Sequence, residues 1–158
     1  YRHYEVVESG FKCNMMDLQA AIGIHQLGRL EQNWLRRRQI RQRYDEALGN
    51  SPLGLPADCR PGDRHGHHLY PVLVDGRRCG IERDAFLDAM KARNIGVGVH
   101  YLSIPEHAFY RETYGWQPEA FPQAMRIGRQ TASLPLFPNL SDGDVDDVIA
   151  ALHDVLAG

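Results

Sequence analysis

The sequence predicts an α/β chain in which one long N-terminal helix feeds a small domain, a short and partly antiparallel sheet packed by helices. Three observations lead there. Leu18 to Leu48 keeps apolar residues at i+3 and i+4 spacing; the segments 67–75 and 95–101 alternate with a period of two; and 82–93 and 141–157 return to the helical period. The expected organisation is an interface segment with the long helix over 1–48, a loop over 49–66 and a small α/β domain over 67–158.

The long helix has an anion-ready entrance. Asn14, followed three residues later by Asp17 just ahead of an apolar run, reads as an N-cap with a carboxylate in the first turn. A helix start exposes unpaired N–H groups at the positive end of its dipole, so it can hold an anion, and Lys12 adds a full charge nearby. The same residues serve equally as a plain cap and a solvated flank. Lys12 gains weight because the chain's only other lysine is Lys91.

Leu18, Ala20, Ala21, Ile22 and Ile24 make the first part of this helix apolar nearly all round, with Gly23 allowing close approach, which implies burial on several sides. Leu27, Leu30, Trp34, Ile40, Tyr44 and Leu48 continue a single stripe. Unbroken, the helix runs roughly 45 Å at about 1.5 Å per residue, more than the core of so small a domain needs, so a partner surface is expected. Arg36, Arg37, Arg38, Arg41 and Arg43 occupy the other faces and read as a solvated surface. Nucleic acid is not the expected partner, because 20 acidic residues outnumber 18 basic ones and no aromatic residues interleave with the run.

Gly49 to Gly66 is rich in Gly, Pro, Asp and Arg and reads as a loop. His65, His67 and His68 lack a Cys or acidic partner at ligand spacing, so no metal site is expected. In the strand that follows, Val72 and Val74 face one side with Leu69 and Leu73 opposite, and Pro71 marks an edge or bulge. Phe86, Leu87, Ala89 and Met90 form the buried side of the helix over 82–93. The strand over 95–101 is unusual: Ile95, Val97, Val99 and Tyr101 point one way, while Gly96, Gly98 and His100 point the other. Two glycines on one face imply that a backbone or a ligand comes close there, and His100 is either a core histidine or a residue facing that ligand. Pro122 suits the first turn of a helix to Thr131, and Leu134 to Asn139 reads as an extended link. Ser141 with Asp144 forms a capping box, followed by the stripe Val145, Val148, Ile149, Leu152, Val155 and Leu156.

At 158 residues and 43% hydrophobic, the chain can bury one sizeable core. It contains no apolar run of membrane-spanning length and no signal peptide, so no membrane partner and a cytoplasmic location are expected. Three cysteines without CxxC spacing read as reduced thiols.

Five pieces carry a family resemblance: GFKCNMMDLQAAIGIHQLGRLEQNWLRRRQIRQRYDEAL (10–48), HHLYPVLVD (67–75), KARNIGVGVHY (91–101), AFYRETYGW (108–116) and SLPLFPNLSDGDVDDVIAAL (133–152). In this order they resemble the DegT/DnrJ/StrS family of nucleotide-sugar aminotransferases, over nearly the whole chain. The resemblance implies the aspartate-aminotransferase fold, a pyridoxal 5'-phosphate cofactor and a homodimer with active sites at the subunit interface. It implies transfer of an amino group from glutamate, through pyridoxamine phosphate, to a nucleotide-linked keto sugar. The Schiff-base lysine is expected upstream of Tyr1, as is the aspartate that pairs with the pyridine nitrogen. The chain then reads as the C-terminal part of such an enzyme, without catalytic residues of its own and inactive alone.

Residue by residue, the resemblance assigns Lys12 and Asn14 to the cofactor phosphate of the neighbouring subunit, and His100, Tyr101 and His107 to the sugar. Two departures stand out. Many members carry Asn-Tyr-Arg where this chain has Lys12, Cys13 and Asn14, although a KYN variant occurs. Members often continue HY-x-P-x-H, whereas this chain reads HYLSIPEH, with Ser103 and Pro105 at those two positions and His107 two residues later. Two alternatives stay open: a pyridoxal-phosphate sugar dehydratase of the same family, with a histidine in place of the upstream lysine, and a non-catalytic dimerisation or ligand-binding module.

Overall fold

A computed structural model of the protein describes residues 7–157; the first six residues of the expected 1–48 segment lie outside them. Internal packing divides the chain into residues 1–32 and 33–158. In the first unit, residues 7–16 are irregular and exposed, α1 spans Asp17–Gly28, and α2 (Leu30–Leu48) begins.

Two expectations for this stretch are corrected. The single helix is divided at Arg29 (φ −99°, ψ −2°), whose N–H closes back on the carbonyl of Gln26 at 3.2 Å. Gly28 stands just before the break, and a helical glycine costs about 1 kcal/mol relative to alanine. The N-cap is Met16, not Asn14: Gln19 Oε1 accepts the Met16 N–H at 3.0 Å, so the return bond that closes the helix start comes from within the helix. Within the described residues no residue of α1 is buried, and Leu18 and Ile24 remain 70% and 69% exposed, so the expected cover on several sides does not come from this chain.

The second unit holds the core. From α2 come Ile40, Tyr44 and Leu48, all on the predicted stripe and all fully buried. β1 (Tyr70–Leu73) pairs antiparallel with β2 (Thr131–Leu134), with Tyr70 opposite Leu134 and Leu73 opposite Thr131. Single bridges extend this ribbon on both sides, Gly54 to Leu73 and Gly98 to Ser133. Tyr70, Val72 and Val74 face the core, and Phe86 and Met90 of α4 (Arg83–Ala92) meet it. So do Val145, Val148, Leu152 and Val155 of α7 (Asp142–Leu156). The short α3 (Gly76–Cys79) is capped by Asp75, whose carboxylate accepts the Arg77 N–H at 3.0 Å. Two further helices, α5 (Ala108–Tyr114) and α6 (Pro122–Gln130), sit between α4 and β2 in the sequence.

The sheet differs from the expected one. The strand over 95–101 is reduced to the single bridge at Gly98, because glycines at 96 and 98 bring backbone entropy and no side chain to pack. The second strand is Thr131–Leu134 instead. All four of its residues are buried, so it shows no alternation, and from the sequence it reads only as the end of a helix and the start of a link.

Three of the five α2 arginines, Arg36, Arg41 and Arg43, are not a solvated face, whereas Arg38 is exposed as expected. Arg36 bonds the carboxylate of Asp142 at 2.8 Å and the carbonyl of Leu140, and Arg43 pairs with Asp142 at 3.2 Å and with Asp146. Both clamp α2 to the acidic start of α7, where anions also complement the helix dipole. Arg41 is buried and pairs with Asp45 at 3.1 Å and Asp58 at 2.9 Å.

Candidate functional site

The sequence-derived site residues fall into both units. Lys12 and Asn14 lie in the first, exposed in the irregular segment ahead of α1. Within α1 the first-turn N–H groups of Asp17 and Leu18 have no intrahelical partner, as at any helix start. An ammonium, an amide and open N–H groups in one short stretch form a donor set suited to a phosphate.

His100, Tyr101 and His107 lie in the second unit, in the irregular stretch between α4 and α5. Gly98 fixes its start: the Gly98 N–H bonds Ser133 O at 3.2 Å and the Ser133 N–H bonds Gly98 O at 2.7 Å. A Cβ added at Gly98 would stand 3.0 Å from His100 Cε1. The expected close approach is therefore met at Gly98 alone, where the β2 backbone pairs and the His100 ring lies over it, whereas a Cβ at Gly96 would meet open space. His100 Nδ1 is buried and has no hydrogen-bond partner among the described residues. The His100 and Tyr101 rings meet edge to face, their centroids 4.9 Å apart, across a cis peptide bond. Tyr101 is 75% exposed. His107, also exposed, is the residue before α5, and its side chain does not cap that helix. Between them a 3₁₀ turn, Ile104–Glu106, is pinned by buried Ser103 and Pro105.

Sequence reasoning missed a cleft in the second unit. It encloses about 520 Å³, lined by Trp34, Arg38 and Arg41 of α2 and by Asp58, Asp63, Arg64, His65 and His67 of the loop before β1. The Trp34 Nε1–H donates to the His65 carbonyl at 2.7 Å, and the Arg64 guanidinium lies 3.9 Å over the indole. His67 is buried, with a left-handed φ of 46°. Its N–H donates to His65 Nδ1 at 3.0 Å, so that nitrogen carries a lone pair, and His67 Nδ1 faces it at 3.3 Å. Burial, then His65, Arg41 and Arg38, hold the His67 pKa below its usual value against the opposing pull of Asp45. The signal in the sequence was the density of charge in 57–67, which reads equally as a solvated loop.

The DegT/DnrJ/EryC1/StrS aminotransferase family model matches residues 1–153. The chain belongs to this family. The chain is 41% identical over 157 residues to the spore coat polysaccharide biosynthesis protein SpsC of Bacillus subtilis (strain 168), covering 99% of this chain and 40% of SpsC. Among solved structures, the PLP-form of Spr1654 from Streptococcus pneumoniae superposes with a TM-score of 0.84 at 28% identity, covering 98% of this chain and 39% of that one. The aminotransferase TlmJ from Streptoalloteichus hindustanus gives a TM-score of 0.76 at 30% identity, covering 98% and 40%. As a member of the aminotransferase family, the chain thus spans about two fifths of the length of the relatives it matches. The small unit with its short antiparallel ribbon is the fold these aminotransferases share with it.

Proposed function

We propose that this chain is the C-terminal portion of a sugar aminotransferase that moves an amino group from glutamate to a nucleotide-linked keto sugar, working as a homodimer. The observation that supports the sugar side is the exposed polar and aromatic surface of the stretch between α4 and α5, which the His100 ring, seated over Gly98 and edge to face with Tyr101, helps to hold in place. Tyr101 offers an exposed aromatic face and a hydroxyl beside it, and His107 is a third polar contact on the same stretch.

The residues present fit pyridoxal phosphate in their donor chemistry. Lys12 and Asn14, together with the open N–H groups of α1, would hold its phosphate, with Lys12 providing the charge and Asn14 an amide donor. When bound, the cofactor supplies an electron sink and carries the amino group between donor and acceptor. This chain's share is binding and orientation: Lys12 and Asn14 anchor the phosphate of the neighbouring subunit's cofactor, while His100, Tyr101 and His107 orient the keto sugar.

The test uses the full-length polypeptide with glutamate and, as probe acceptors, UDP-linked and dTDP-linked keto-deoxyhexoses. An amino sugar should form as glutamate is consumed. Lys12→Ala should weaken cofactor retention by roughly tenfold or more, the worth of one charge-assisted phosphate bond at about 1.5–3 kcal/mol. His100→Ala should raise KM for the sugar and leave cofactor affinity unchanged. A dehydrated sugar formed without glutamate consumption would show a dehydratase instead. No reaction, with cofactor affinity indifferent to Lys12, would leave a binding module.

A further inference from the structure

The segment that carries His100 and Tyr101 is anchored twice. At Gly98 it pairs with the β2 backbone, as described above. At Ser103 it is pinned against α6: Ser103 is 8% exposed and its hydroxyl donates to the carbonyl of Ala124. One turn further along α6 stands Gly128, also buried. A Cβ at Gly128 would lie 2.7 Å from the Ser103 backbone nitrogen and would overlap the Ser103 hydroxyl. Contact with a flexible side-chain tip could be relieved by a rotamer change; contact with a backbone atom requires the loop itself to move. A glycine within a helix is less stable than alanine there, and close approach of the loop is the reason for it here. The nearby Arg129–Glu106 ion pair, 2.9 Å, has its arginine 65% exposed and adds little.

Tyr101 is mostly exposed and its ring contact is with its neighbour His100, carried on the same segment, so the position of the pair follows from the backbone between the two anchors. We propose that Ser103 and Gly128 form a latch that sets how far His100 and Tyr101 reach toward the keto sugar, which makes both of them positioning residues for that substrate. The proposal rests on the reading of His100 and Tyr101 as sugar contacts given above.

The experiment measures KM and kcat for the probe keto-deoxyhexoses and for glutamate in the full-length polypeptide, with cofactor affinity and Tm alongside. Gly128→Ala pushes the loop outward and should raise the sugar KM by about tenfold, since a displacement of about 1 Å can cost up to about a hundredfold; the glutamate KM and cofactor affinity should stay within about twofold. Ser103→Ala keeps the fit but frees the hydroxyl anchor and should raise the sugar KM by about threefold, a reading that stands alone if Gly128→Ala does not fold. Tyr101→Ala should cost less in the Gly128→Ala background than in the parent, because the latch and the tyrosine act on one contact. If Tyr101→Ala and His100→Ala raise the sugar KM while Gly128→Ala and Ser103→Ala leave it unchanged, the latch is wrong and the sugar-contact reading stands. If Tyr101→Ala and His100→Ala leave the sugar KM unchanged, that reading fails and the proposal with it. Equal losses toward sugar, glutamate and cofactor would make Gly128 a packing residue only and overturn the latch.

Discussion

His67 concentrates the local electrostatics in one side chain. It is buried in the loop before β1, beside Trp34 of α2, and its charged form is opposed by desolvation and by His65, Arg41 and Arg38, with only Asp45 favouring it. Its folded pKa therefore lies below the unfolded value of about 6.5. As pH falls, the unfolded chain binds this proton first, so the His67 contribution is intact above about pH 6.5 and is lost as pH drops from there toward the folded pKa. Comparing Tm at pH 7.5 and 5.5 should show a decline that is smaller in His67→Asn than in the parent, asparagine being chosen because it tolerates the left-handed backbone. Identical declines in the two proteins would mean that His67 does not carry the effect. The acid-side loss is separate: Asp142, held low by hydrogen bonds from Arg36, and Asp144, held low by the Ser141 hydroxyl, contribute above the ordinary carboxylate range and lose that contribution as pH falls through it.

At the scale of elements, α7 shows what local sequence can encode. The Asp144 N–H donates to Ser141 Oγ at 3.1 Å, and the Ser141 N–H donates to the Asp144 carboxylate at 2.9 Å, the reciprocal pair expected from the spacing alone. Ser141→Ala should cost about 1 kcal/mol and lower Tm by a few degrees, measured at pH 7; no change would mean that the Arg36 and Arg43 clamps fix the helix start without the cap. Those clamps were not legible, because Arg43 and Asp146 are separated by the whole sheet in sequence and only the fold brings them together. The sheet was half legible for a similar reason. β1 shows its alternation openly, whereas β2 is Thr-Ala-Ser-Leu buried on every residue, and its identity comes from pairing with a strand far upstream. At the candidate site the glycine pattern singles out His100, and Tyr101, on the opposite face of that alternation, enters only through the resemblance, yet nothing local discloses that Gly128, in another helix, sets the clearance beneath Ser103.

For the molecule as a whole, the open question is what covers α1. Leu18, Ile22, Ile24 and Leu27 are each more than half exposed, with Phe11, Met15 and Met16 beside them, whereas single-chain surfaces rarely leave so much contiguous apolar area uncovered. The chain spans about two fifths of its relatives' length, and in the longer polypeptide and homodimer proposed above the cover comes from the remaining polypeptide or from a second subunit. The dimer makes a demand that the other source does not. If Lys12 and Asn14 anchor the neighbouring subunit's cofactor, a defect at Lys12 must appear across the interface. A mixed dimer of one Lys12→Ala subunit with one subunit lacking the cofactor lysine isolates a single competent cofactor site, the one within the Lys12→Ala subunit, whose phosphate faces the intact Lys12 of the other chain. That site should hold pyridoxal phosphate as tightly as the parent, by spectral titration. Placing both changes in the same subunit and pairing it with a parent subunit should instead weaken the remaining site, because its phosphate now faces the mutated segment. The reverse pattern would assign Lys12 to its own subunit's cofactor, and equal affinity in both dimers would leave Lys12 a solvated flank of α1.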